Sequence, residues 1–151
     1  MKPQELFPGT LVNYKGTPRT VFRADLNGDI VLAITYEGGI TFTPVNIKDV
    51  EPIPLTMDIL EANGFKFDSG KSVSSFGCYQ DYANDQYQLS FYKTFRNVSR
   101  HMDVLVDENP DYWVLNGCVG LGDLEIRVKY VHEFQAILQI CHYNIDIKLP
   151  D

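Results

Sequence analysis

Val128-Lys129-Tyr130-Val131-His132-Glu133-Phe134-Gln135-Ala136-Ile137-Leu138-Gln139-Ile140-Cys141-His142 is the stretch on which the fold turns. Val131, Phe134, Leu138 and Cys141 recur at i, i+3, i+7 and i+10, the 3.6-residue period of an amphipathic helix. Tyr130 and Ile137 widen the stripe into a core-facing surface, which predicts a helix over 129–142. Just upstream, Leu124, Ile126 and Val128 alternate with Glu125, Arg127 and Lys129, the period of two of a strand with one buried face. A strand feeding straight into such a helix predicts that the helix lies across an antiparallel sheet. The burial there amounts to several large side chains, each worth roughly 1.5–3 kcal/mol.

Working outward, Ile53-Pro54-Leu55-Thr56-Met57-Asp58-Ile59-Leu60-Glu61-Ala62-Asn63-Gly64-Phe65 predicts a second, shorter helix over 56–63. Pro52 and Pro54 hold their predecessors extended, and Thr56 supplies an N-cap hydroxyl. Gly64 suits a left-handed C′ position, with Phe65 placed for the contact that follows it; Leu55, Ile59 and Leu60 form the buried side. Residues 66–128 read as an antiparallel sheet: Tyr87, Leu89 and Phe91 alternate with Gln88, Ser90 and Tyr92. Runs at 104–107 and 112–115 flank the turn Glu108-Asn109-Pro110-Asp111. The Ser, Gly and Asp content of 68–85 predicts a long excursion, and Ile145, Ile147 and Leu149 predict one more short strand.

Before the first helix, residues 6–52 carry short β-rich runs at 11–14, 20–25, 30–35, 40–43 and 45–50. Lys15-Gly16-Thr17-Pro18, Leu26-Asn27-Gly28-Asp29 and Glu37-Gly38-Gly39 turn the chain between them, Asn-Gly being the strongest short hairpin signal. Five short strands curled by glycine predict an SH3-like small β-barrel. The expected architecture is therefore α+β: an SH3-like β-unit over 1–52, then a unit over 53–151 with an antiparallel sheet packed with two helices.

Composition narrows the function classes. The chain has 151 residues, a net charge of −7 and only 13 Lys and Arg, so a phosphate backbone meets net repulsion and a nucleic-acid partner is not expected. Cys78, Cys118 and Cys141 form neither a disulfide framework nor a zinc spacing. The absence of a long apolar run predicts a cytoplasmic protein with no membrane span.

Pro8-Gly9-Thr10-Leu11-Val12-Asn13-Tyr14-Lys15-Gly16, Glu51-Pro52-Ile53-Pro54-Leu55-Thr56, Asn63-Gly64-Phe65 and Val128-Lys129-Tyr130-Val131-His132-Glu133-Phe134-Gln135 follow one another in an order that resembles a known set of sequences. These segments are similar to a family of uncharacterised small proteins of anaerobic gut bacteria and their phages or mobile elements. Cys141-His142-Tyr143 departs from that family, which has a Thr-Gly type of helix ending there. The resemblance implies a mobile-element context; it implies no activity, cofactor or catalytic residue.

Four constellations bear on chemistry. His132, Gln135, Gln139 and His142 form a polar ridge beside the apolar stripe, a recognition surface for imidazole and amide hydrogen bonds or a solvated or half-buried flank with His132 satisfied by a nearby carbonyl or carboxylate. His132 and His142 lie about 15 Å apart along a helix, too far to share a metal ion. Asp111 with Glu125 and Arg127 loosely follows the two-carboxylate-plus-lysine pattern of divalent-metal nucleases, but Arg127 stands where a proton-accepting Lys belongs. Phe76, Tyr79, Tyr82, Tyr87, Phe91, Tyr92 and Phe95 offer stacking area, with few cations beside them. Gly117, Gly120 and Gly122 precede a strand instead of a helix, so they make no phosphate loop.

The expected function is a non-enzymatic protein-interaction module of a phage or mobile element, with no cofactor and no metal. Its partner is another protein, met through the loops of the small barrel, through the Tyr-rich stretch with Tyr79, Tyr82 and Tyr92, or through His132, Gln135 and Gln139. The alternative is a nucleic-acid-associated factor or a divalent-metal nuclease acting through Asp111, Glu125 and Arg127.

Overall fold

Lys15-Gly16 turns the chain with two positive φ angles, 51° and 77°, and joins β1 (Leu11–Tyr14) to β2 (Thr17–Ala24) in the computed structural model. Paired positive φ is the backbone of the hairpin turn whose twist matches that of its strands. The structure describes residues 1–67, 73–74, 77–84, 89–96, 112–116, 126–141 and 146–150. They form an α+β protein that divides into two compact units. One comprises Met1–Pro54 and Tyr130–Ile140, the other Leu55–Lys129 and Cys141–Asp151.

In the first unit, β2 passes to β3 (Asp29–Tyr36) through a turn where Gly28 takes φ 95° and Asn27 Oδ1 accepts the Asp29 N–H at 3.1 Å. β3 pairs along its whole length with β4 (Gly39–Asn46), from Tyr36↔Gly39 to Asp29↔Asn46. A 3-10 turn over Ile47–Asp49 then leads into β5 (Val50–Glu51), which returns to the far side of β1. The order is β4-β3-β2-β1-β5, antiparallel throughout. Among the described residues no pairing joins β4 to β5, so the sheet is open and the closed barrel expected over 1–52 is not formed by strand pairing. Its inner face buries Val12, Val21, Ile30, Leu32 and Val50 together with Leu6.

The closing helix, α2 (Val131–Ile140 in the structure), completes this unit. The sequence pattern places it across the second sheet within a unit over 53–151; the structure groups it with residues 1–54 instead. The physical reason is a set of backbone ties that periodicity does not reveal. Pro54 forms a bridge with Tyr130, and the Val131 N–H donates to the Ile53 carbonyl at 2.8 Å. Tyr130 N–H donates to Glu133 Oε2 at 3.0 Å, so Glu133 caps the start of the helix. Val131, His132, Phe134, Ile137 and Leu138 are its buried side chains.

The second unit opens with α1 (Met57–Ala62), capped by Thr56 Oγ1, which accepts the Ile59 N–H at 3.3 Å. Gly64 takes φ 82°, and its N–H and that of Phe65 donate to the Glu61 and Leu60 carbonyls, the complete paired C-terminal motif. Phe65 and Leu60 are fully buried. The sheet of this unit contains β6 (Lys66–Phe67), β7 (Val73–Ser74), β8 (Gly77–Asn84), β9 (Leu89–Arg96), β10 (Trp113–Asn116) and β11 (Ile126–Val128). Its order is β11-β10-β9-β8-β6, with β7 paired to β8. The long excursion expected over 68–85 is corrected in its second half: Gly77–Asn84 is β8, and its residues 78–84 pair with β9. Composition hid the strand, since Ser and Gly flank a run whose own spacing suits a ladder. Residues 146–150 form no strand; Lys148 is instead held by Asn63, whose side chain accepts from its N–H at 2.9 Å and donates to its carbonyl at 2.8 Å.

Candidate protein-interaction surface

Inward-facing residues of β3 and β4 alternate with outward ones, and in this hairpin the outward set includes apolar side chains as well. Ile30 and Leu32 are buried while Val31, Ala33 and Thr35 take the other face. The register opposes Val31 to Pro44, Ala33 to Phe42 and Thr35 to Ile40, so Ile40, Phe42 and Pro44 share that outer face. On β2 the pairing with β3 shifts between Val21 and Arg23, leaving Phe22 in a bulge. Phe22 turns outward there, and its ring centroid lies 4.5 Å from that of Phe42, tilted by 48°. The two rings meet above β3 because Ala33, opposite Phe42, has no bulk to separate them.

Three large apolar side chains thus stand in solvent on one face. Phe22 is 54% exposed, Ile40 58% and Phe42 52%. Arg23 and Asp25 form an exposed ion pair of 3.3 Å at the end of β2, next in sequence to Phe22. What the surface offers is contact area. Each of the three side chains is already about half covered, so burying the remainder of Phe22, Ile40 and Phe42 against a partner is worth roughly 1 kcal/mol each before the costs of association.

The sequence-derived candidates fall elsewhere. Tyr79 and Tyr82 are on β8 and Tyr92 on β9; the register sets Tyr92 opposite Asp81 and Phe91 opposite Tyr82. By this register positions 79 and 92 fall on one face of the second sheet and position 82 on the other. Asp111 and Glu125 lie outside the described residues, as does His142. Arg127 is exposed on β11 with its guanidinium carbon 4.7 Å from the centre of the Tyr112 ring.

The polar ridge of α2 is used unevenly. Gln139 is exposed. Gln135 works inside the first unit: its Oε1 accepts the Leu11 N–H at 2.8 Å and its Nε2 donates to the Gly9 carbonyl at 2.9 Å. His132 is buried, 2% exposed, with Nε2 3.8 Å from Glu5 Oε2 and its ring stacked on Tyr130 at 5.6 Å. Its Nδ1 has no hydrogen-bond partner. Burial pushes the imidazole below its ordinary pKa of 6.5, against the raising pull of Glu133 and Glu5; the N-terminal amine lowers it further. A neutral ring is thus the form that this site favours.

Among the described residues no three His, Cys, Asp or Glu side chains converge as a metal site would require, and no helix is long and apolar enough to cross a membrane. Comparison with protein-family models, curated proteins and solved structures finds no match to this chain.

Phe22, Ile40 and Phe42 are absent from the sequence-derived candidates, although one signal pointed to them. Ile40-Thr41-Phe42-Thr43-Pro44 alternates apolar with polar, the pattern of a strand with one buried face. The structure turns the apolar set of that alternation away from the core.

Proposed function

We propose that the chain is a non-enzymatic protein-interaction module of a phage or mobile element, and that it meets its protein partner with the outer face of β2, β3 and β4. The observation that carries this is the solvent-exposed cluster of Phe22, Ile40 and Phe42 on a single sheet face. Contiguous exposed apolar area of this kind marks interaction sites more often than bare surface. The strand order β4-β3-β2-β1-β5, with a 3-10 turn leading into β5, supports an SH3-like relationship for the first unit. An acidic chain with scattered cations supports a cytoplasmic protein partner over a nucleic acid.

Affinity capture with the intact chain, set beside a Phe22→Ser/Phe42→Ser variant, tests the surface. A partner retained by the wild type and lost by the variant is the expected result; an identical capture profile removes this face from the reading. A gel-shift and cleavage assay at low salt with Mg²⁺ or Mn²⁺ tests the other class. Cleavage that disappears in Asp111→Ala would replace the interaction module with a nuclease.

A further inference from the structure

β4 is the outermost strand of the first sheet, and its far side pairs with nothing among the described residues. Gly39–Asn46 is eight residues long and contains no ionisable side chain, in a chain of net charge −7. Strand edges are ordinarily guarded by charges that make pairing with another chain costly. Here the acidic molecule leaves a long uncharged strand on the rim of the sheet, beside its exposed apolar face.

Pro44 fixes which backbone groups are free. It has no N–H, so its position opposite Val31 is a wide pair in which the groups of both residues point away from each other. The antiparallel alternation then makes Phe42 opposite Ala33 and Ile40 opposite Thr35 wide pairs as well. The N–H and C=O of Ile40 and Phe42 consequently face outward from the edge. The same two residues supply the exposed side chains of the outer face.

We infer that two copies of this chain associate by antiparallel pairing of β4 with β4, with Thr41 on the two-fold axis. In that register Ile40 of each copy exchanges both backbone hydrogen bonds with Phe42 of the other, and every outward group of these residues is used. Moving the register by two residues to centre it on Phe42 sets Ile40 opposite Pro44, whose missing N–H leaves the Ile40 carbonyl unmatched. Centring on Thr41 also seats Ile40 against Phe42 of the second copy on the outer face, and each Phe22 extends the joined apolar surface. No charge stands opposite a like charge along the paired strands. The two-fold arrangement is closed, so association stops at the dimer.

This inference rests on the outer-face reading above but specifies its occupant. Sedimentation equilibrium of the intact chain over a wide concentration range is expected to show a monomer–dimer equilibrium. Ile40→Lys, at an exposed position where the fold is retained by far-UV circular dichroism, is expected to weaken dimerisation by about tenfold or more. Residues paired across a wide position have Cα atoms about 4.5 Å apart, within disulfide reach. Thr41→Cys is therefore expected to link the two copies through a disulfide at position 41 on mild oxidation, identified by peptide mass, while Thr43→Cys gives no link. A monomer at every concentration overturns the inference and leaves the capture experiment to judge the surface separately. A dimer indifferent to Ile40→Lys, or one linked through position 43 and not 41, overturns it equally.

Discussion

His132 and Gln135 sit one turn apart on α2 and answer to different physics. The imidazole is buried and held below its ordinary pKa, so the unfolded chain takes up a proton before the folded one does. Stability from this residue is complete above about pH 6.5 and declines as the pH falls toward the lowered folded value, by at most about 1.4 kcal/mol per unit. Urea midpoints at about pH 5 and pH 7 should differ less in His132→Leu than in the wild type. Gln135 joins the Gly9 carbonyl to the Leu11 N–H through one amide. Gln135→Ala removes both bonds and is expected to cost about 1–2 kcal/mol; Gln135→Glu, which keeps the acceptor for Leu11, should cost less. Denaturant midpoints of the three chains check the order.

The helices and the edge strand show what local patterns can and cannot convey. Thr56 and Gly64 bracket α1 through bonds between neighbours in sequence, which is why 56–63 could be read directly from residue type. Thr56→Ala should cost about 1 kcal/mol and Gly64→Ala about 1–2 kcal/mol, since alanine is strained at φ 82°; thermal unfolding measures both. The apolar stripe of α2 was equally plain, because its period is intrinsic to the helix. What the period does not encode is the identity of the neighbour: the ties at Ile53, Leu11 and Gly9 join residues far apart in sequence. β4 exposes the same gap from the other side. Alternation in Ile40-Thr41-Phe42 identifies a strand with one apolar face, yet the side that meets the core is decided by register with β3 and by the bulge at Phe22. Positions 79, 82 and 92 are close in sequence, yet strand parity places 82 on the face opposite to 79 and 92.

At the level of the chain, the first unit is discontinuous, built from Met1–Pro54 and Tyr130–Ile140. A fragment of residues 1–54 lacks the partners of the Leu11 N–H and of the Gly9 and Ile53 carbonyls. It should unfold at lower urea concentration than the same residues joined through a short Gly-Ser linker to 130–140, a linkage made easy by the bridge between Pro54 and Tyr130. Circular dichroism of the β signal reads both midpoints. Trp113, the single tryptophan, is buried with Nε1 donating to the Leu55 carbonyl at 2.8 Å, so its fluorescence follows the second unit alone.

That return of α2 also has a cost in time. During synthesis the opening strands emerge long before the segment that finishes their unit, and at roughly 5–20 residues per second the wait from residue 54 to residue 140 is on the order of 4–17 seconds. Throughout that interval the nascent chain presents an incomplete sheet with an uncharged rim, on a ribosome whose neighbours carry the same unfinished rim. Chaperone occupancy early in translation, and the yield lost when translation is accelerated, are the properties in which this late closure should make itself felt.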